Sequence, residues 1–192
     1  MTMRERILEI SKKHNLSHLG SCVSMVEILE AIYKVKKPNE PLVLSNGHAG
    51  LALYCALEKY EGKNAEELFE KHGVHPNRDE ENGIWCSTGS LGMGVTIAVG
   101  MALADRTRDV YCTISDGECA EGSIWESFRI AQEQQLTNLK IYLNMNGWSA
   151  YRETNKDLLH LDFLNSSLVN VFQTNSDIND DIKGLDSHYK TL

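Results

Sequence analysis

Two apolar runs separated by one helix-length segment constrain this chain more than any other feature. Residues 109–115 form a β-branched run that ends at Asp116-Gly117, and residues 139–143 run into Asn144-Met145-Asn146-Gly147. Residues 122–134 between them carry a helical pattern. Strand, helix and strand in that order make a crossover between neighbouring parallel strands. Further strands are expected at 41–45 and 168–172. Helices are expected at 3–13, 24–35, 48–60, 64–72, 92–104 and 177–185, the second opening on Ser24 as N-cap with Glu27 three places on. This alternation predicts an α/β fold, a three-layer sandwich with a parallel sheet and helices on both faces. At 192 residues the chain suits a single domain, 1–192. Ligands of such sheets gather at the carboxyl ends of the strands. Residues 73–90, rich in Gly, Pro, Asn and Asp, read as a long loop of the functional kind.

The charge balance narrows the ligand class. With 19 basic and 27 acidic residues the net charge is -8, which argues against a general nucleic-acid binder. No run approaches the roughly 18 consecutive apolar residues of a membrane span, and Met1-Thr2-Met3-Arg4-Glu5-Arg6 leads into no signal-peptide core. The five cysteines are odd in number and form no CxxC pair, so small buried hydrophobes in a reducing cytoplasm are expected rather than disulfides or zinc.

The chemistry concentrates at two strand ends. Asp116 and Asn146 are thirty positions apart, one crossover, so adjacent parallel strands would bring both to one sheet edge. A carboxylate, an amide oxygen and the Trp148 carbonyl suit a small hard cation such as Mg²⁺. Gly117 would let the backbone approach a phosphate, and the helix from about Gly122 would aim its N-terminus there. Taken alone, turns of the Asp-Gly and Asn-Gly kind are also ordinary loop chemistry.

The segment Ser115-Asp116-Gly117-Glu118-Cys119-Ala120-Glu121-Gly122, continued at Asn144-Met145-Asn146, resembles the diphosphate-binding signature of thiamine-diphosphate enzymes. Four more segments narrow the likeness to transketolases: His18-Leu19-Gly20-Ser21, Leu44-Ser45-Asn46-Gly47-His48-Ala49, His75-Pro76, and Ser87 to Gly94. The resemblance covers about residues 5–150. It implies the thiamine-diphosphate-binding fold and transfer of a two-carbon ketol unit from a ketose, as its phosphate, to an aldose. It implies that Asp116, Asn146 and the Trp148 carbonyl hold Mg²⁺ (or Ca²⁺ or Mn²⁺). Gly117 and Glu118 would serve the diphosphate, and Gly89 and Leu91 the pyrimidine and bridging region. His18, His48 and His75 would surround the reactive thiazolium, with His48 also touching cofactor, and neutral imidazoles would move donor-hydroxyl protons near pH 7. Glu121 and Glu126 resemble the carboxylates that link two active sites across the subunit interface. Taken singly, each of the three histidines also fits a capping, helical or solvated role. His14, His72, His160 and His188 lie in no motif and are expected at the surface, as is the acidic run Asp79-Glu80-Glu81.

Three departures accompany the likeness. Ser115 stands where the family usually has glycine, and Asn144 where an acidic residue is frequent. The family's terminal strand and Lys/Gly-rich loop find no counterpart before Leu192, so the domain reads as C-terminally minimal and its site as open. The pyrimidine-binding domain, which in this family supplies the activating glutamate, is also absent. The resemblance therefore implies a partner in the form of a separate pyrimidine-binding subunit, self-association, and a complex of two copies of each. Other readings are the alpha subunit of a 2-oxo acid dehydrogenase, a deoxyxylulose-phosphate synthase fragment, and a catalytically degenerate structural subunit.

Overall fold

The computed structural model describes residues 1–163 and 168–192, except the side chains of 160–163. Four parallel strands lie in the order β1-β2-β3-β4: β1 (Leu42–Leu44), β2 (Val110–Ser115), β3 (Leu139–Met145) and β4 (Val169–Gln173). The four expected strands are therefore present in one parallel sheet. Nine α-helices accompany them among the described residues: α1 (Met3–His14), α2 (Leu19–Ser24), α3 (Val26–Val35), α4 (Gly50–Glu61), α5 (Ala65–His72), α6 (Met93–Ala104), α7 (Gly122–Glu133), α8 (Lys156–Phe163) and α9 (Asp186–Tyr189).

Two apolar cores, one on each sheet face, make the three layers. Leu42, Leu44, Tyr111 and Tyr142 join the core built by α1 to α5. Val43, Val110, Cys112, Ile114 and Ile141 join the core built by α6 and α7. Successive strand side chains point to opposite faces, so alternate residues of β2 enter different cores. Because both faces are covered, all six positions of β2 are buried and the strand reads as a continuous apolar run. All five cysteines are free and buried, as expected. Among the described residues no helix is long and apolar enough to cross a membrane.

Several expectations are corrected. Between the helices expected at 3–13 and 24–35 lies a further one, α2, whose six residues are all buried. Ser24 closes α2 instead of capping α3, whose N-cap Met25 makes no side-chain cap bond. The Ser24 hydroxyl donates to the Ser21 carbonyl and accepts from Asn144 Nδ2 at 2.9 Å. The capping box of this chain lies instead at Thr2 and Glu5, on α1. The helix expected at 92–104 is α6, and it buries one face: Gly94, Val95, Ala98, Val99 and Ala102 face the core, whereas Met93 is 49% exposed. Residues 177–185 form no α-helix, and α9 begins at Asp186. α8 was not expected at all.

Candidate functional site at the strand ends

β2 and β3 pair in register through Ser115 and Asn144, and the Asp116 amide continues the ladder to the Asn144 carbonyl at 2.9 Å. The two chain segments thus leave the sheet side by side. The Asp116 carboxylate, 2% exposed, accepts from the Gly147 amide at 2.7 Å and the Thr154 hydroxyl at 2.6 Å. It therefore lies one residue from Asn146, which is 7% exposed and whose Oδ1 accepts from the Trp148 amide at 2.9 Å. Burial raises the Asp116 carboxyl above the ordinary aspartate range, against the hydrogen bonds that lower it.

A cavity of about 190 Å³ opens beside this pair. Asn146, Trp148 and Gly117 line it together with His18, His48 and His75. Asp116 lies at the seam: it lines the neighbouring cleft, which shares Gly117 and Ser149 with the cavity. The His18 and His48 rings are 5.8 Å apart between centroids. Burial pushes His48 down to about 3 and also lowers His18, so both are neutral imidazoles at neutral pH. His75 comes from the long loop and packs on Gly89, where a Cβ would meet its ring at 3.1 Å and the backbone φ is +141°. Only glycine takes that conformation without strain, so Gly89 fixes where the imidazole sits. Leu91 lines the same cavity.

The oxygen donors fit a magnesium diphosphate. Asp116, Asn146 and the Trp148 carbonyl offer oxygen donors of the kind that ion takes. The backbone at Gly117 is close against the opposing loop: a Cβ there would meet Ser149 Cα at 3.2 Å and the Trp148 carbonyl at 3.6 Å. Ser115 is not among the residues with positive φ, so serine in place of glycine strains nothing. Asn144 is held by Ser24 and by the Thr174 hydroxyl.

Some site residues fall elsewhere than sequence suggests. Glu118 is fully buried and does not line the cavity. Its carboxylate accepts from the Ser45 hydroxyl at 2.8 Å, the Gly92 amide at 2.8 Å and the Ser115 amide at 3.1 Å. It ties three motif segments together beneath the site instead of facing a ligand. Glu121 is the N-cap of α7, Glu126 is exposed on that helix, and neither lines the cavity. Of the four histidines expected at the surface, His14 is half-buried, with Nε2 2.9 Å from Glu66. The His72 side chain is nearly covered and pairs with Asp79, which also binds Lys71 and Asn82 and so is not merely solvated. His188 is buried in the cavity wall. His160 has its side chain outside the described residues. Sequence reasoning also missed Thr154, which has no motif and reaches Asp116 only through the loop after β3.

Comparison with known proteins agrees with this geometry. Residues 2–160 match the family described as transketolase, thiamine diphosphate binding domain. The 6-deoxy-6-sulfo-D-fructose transketolase subunit SqwG of a Clostridium species is 35% identical over 164 residues, covering 75% of this chain and 60% of that one. One subunit of the apulose-4-phosphate transketolase of Phocaeicola vulgatus is 34% identical over 164 residues, covering 74% and 58%. The crystal structure of Campylobacter jejuni transketolase superposes with a TM-score of 0.73 at 25% identity, over 84% of this chain and 30% of that one. This chain therefore spans about 60% of the length of those two subunits. A parallel sheet with helices on both faces, strand-end oxygen donors beside a histidine-lined cavity, and a match over residues 2–160 place the chain in the transketolase family, within its thiamine diphosphate binding domain.

Proposed function

We propose that this chain is the diphosphate- and metal-binding subunit of a transketolase that moves a two-carbon ketol unit from a ketose phosphate to an aldose. The observation that carries this reading is the Asp116 carboxylate bonded to the amide next to Asn146, at the rim of the histidine-lined cavity. Asp116, Asn146 and the Trp148 carbonyl would hold Mg²⁺, with Gly117 against the diphosphate. Gly89 and Leu91 would bound the cofactor's organic part, and Glu118 supports the loops from below. Bound thiamine diphosphate supplies the carbanion chemistry that ketol transfer requires. His18, His48 and His75 orient the sugar's hydroxyls and hold or return their protons. Because burial keeps His18 and His48 neutral, each ring offers one donor and one acceptor to those hydroxyls.

The same proposal includes a second, pyrimidine-binding subunit that contributes the activating glutamate, together with self-association of this chain. Two of the relatives are named as transketolase subunits, which supports a partner. So does the outer side of α6 and α7, where Met93, Leu103 and Trp125 remain exposed. A helix that is apolar all round ordinarily packs on both sides. Glu121 and Glu126 sit at the start of α7 beside that surface, where carboxylates of two copies would meet. The free cysteines suit a cytoplasmic setting.

Calorimetry on the full chain tests the reading: thiamine diphosphate should bind only when Mg²⁺ is present. Ketol transfer from a ketose phosphate should then appear on addition of a pyrimidine-binding transketolase subunit. Binding that ignores Mg²⁺ would refute the metal assignment. Robust turnover by this chain alone would refute the partner.

A further inference from the structure

His188 lies beyond residues 2–160, yet α9 carries it into the wall of the same cavity. It is 5% exposed, and three contacts fix it there. Its Nδ1 is 3.0 Å from the Ser21 hydroxyl on α2. Its carbonyl accepts from the His18 amide at 2.9 Å. Its helix is clamped against α2 where Gly20 leaves room: a Cβ on Gly20 would meet Ser187 Oγ at 2.1 Å. His18 itself has a φ of +62°, uncommon for a residue with a side chain, and the bond to the His188 carbonyl holds it there.

The other ring nitrogen is the informative one. Nε2 of His188 is buried and has no hydrogen-bond partner among the described residues. Buried polar atoms are satisfied in the great majority of proteins, and an exception in a cavity wall points to a missing ligand. We infer that His188 is a fourth ligand-contacting imidazole of this cavity, anchored through Nδ1 to Ser21 and presenting Nε2 to an oxygen of the bound diphosphate or sugar. The inference rests on the proposed function for the identity of that ligand. Burial lowers the imidazole to about 4, so it meets the oxygen as a neutral ring whose tautomer Ser21 selects. If the serine hydroxyl donates to Nδ1, Nε2 carries the hydrogen and is the donor an anionic oxygen needs.

Nitrogen NMR on the full chain with ¹⁵N-labelled imidazoles tests this, His188 being assigned by its loss in His188→Gln. Thiamine diphosphate with Mg²⁺ is added first, then fructose 6-phosphate. A shift of the Nε2 signal at the first addition assigns the diphosphate, and a shift only at the second assigns the sugar. Either supports the inference. His188→Phe should weaken binding of the corresponding molecule about tenfold, the equivalent of one hydrogen bond to a charged or polar oxygen. His188→Gln should restore part of it. The bond from His18 survives both substitutions because it uses the backbone carbonyl. If His188→Phe does not fold, the wild-type spectrum and His188→Gln carry the test. An Nε2 signal unmoved by both additions, with affinities in His188→Gln equal to wild type, overturns this inference while leaving the proposed function standing. A wild-type chain that binds no thiamine diphosphate overturns both.

Discussion

Replacing Asp116 with alanine will abolish Mg²⁺-dependent binding of thiamine diphosphate. Asp116 is the one carboxylate among the three proposed metal ligands, the others being the Asn146 amide and the Trp148 carbonyl. It supplies the negative charge that draws a hard cation out of water. Its carboxylate is already oriented before any ion arrives, by the Gly147 amide, the Thr154 hydroxyl and its neighbour's amide at Gly117. That preorganisation lowers the ordering cost of binding, and it is lost with the side chain. The expected loss is about a thousandfold in affinity, equivalent to about 4 kcal/mol. Asp116→Asn keeps the shape and loses the charge, so it should bind almost as poorly. Alanine also leaves the Gly147 and Gly117 amides and the Thr154 hydroxyl without their acceptor, so a loss of fold stability is expected beside the loss of binding, smaller in Asp116→Asn. Calorimetry with and without Mg²⁺, beside a denaturant titration, separates the two effects. Unchanged affinity in Asp116→Ala would remove the basis of the proposed function.

Glu118→Ala should cost the fold on the order of 3–5 kcal/mol, a large share of the 5–15 kcal/mol by which ordinary domains are stable, with each stranded buried donor costing about 1–3 kcal/mol. The side chain is fully buried, and removing it strands the Ser45 hydroxyl and the Gly92 and Ser115 amides together. Glu118→Gln keeps one acceptor oxygen but turns an NH₂ group towards donors, so it should cost less than alanine. A pH signature identifies the cause. Burial pushes the Glu118 carboxyl up to about 7 from an ordinary 4.5. The folded metal-free protein therefore holds a proton that the unfolded chain has released across that window. The stability of wild type relative to Glu118→Gln should therefore fall as pH rises from about 4.5 to about 7 and level off above that. Its slope is about 1.4 kcal/mol per pH unit. Taking the difference between the two proteins cancels the histidines, whose lowered values act in the opposite direction. Denaturant midpoints from pH 4.5 to 8 would show it; a pH-independent difference would contradict a buried, protonated Glu118.

Much of this molecule was legible without coordinates, for reasons that are local. Strands such as residues 110–115 announce themselves because a strand covered on both faces must be apolar throughout. The helix between β2 and β3 fixes the crossover, so the meeting of Asp116 with the Asn146 loop follows from chain order.

What tertiary structure alone decided has one physical cause: contact between segments far apart in sequence. α2 was hidden because a helix buried on all sides shows no amphipathic stripe, and its serines bond backward and across to Asn144. Glu118 sits within a diphosphate signature, yet the direction of its carboxylate depends on Ser45 and Gly92, which arrive from other loops. His188 looked like a surface residue because nothing beside it in sequence marks it. Its partner Ser21 is 167 positions away, and only closure of α9 onto α2 turns a solitary histidine into part of a cavity. Residue types and spacing thus determined the sheet and the meeting of Asp116 with the Asn146 loop, while burial, which depends on the whole packed chain, decided which side chains line the cavity and which support its loops.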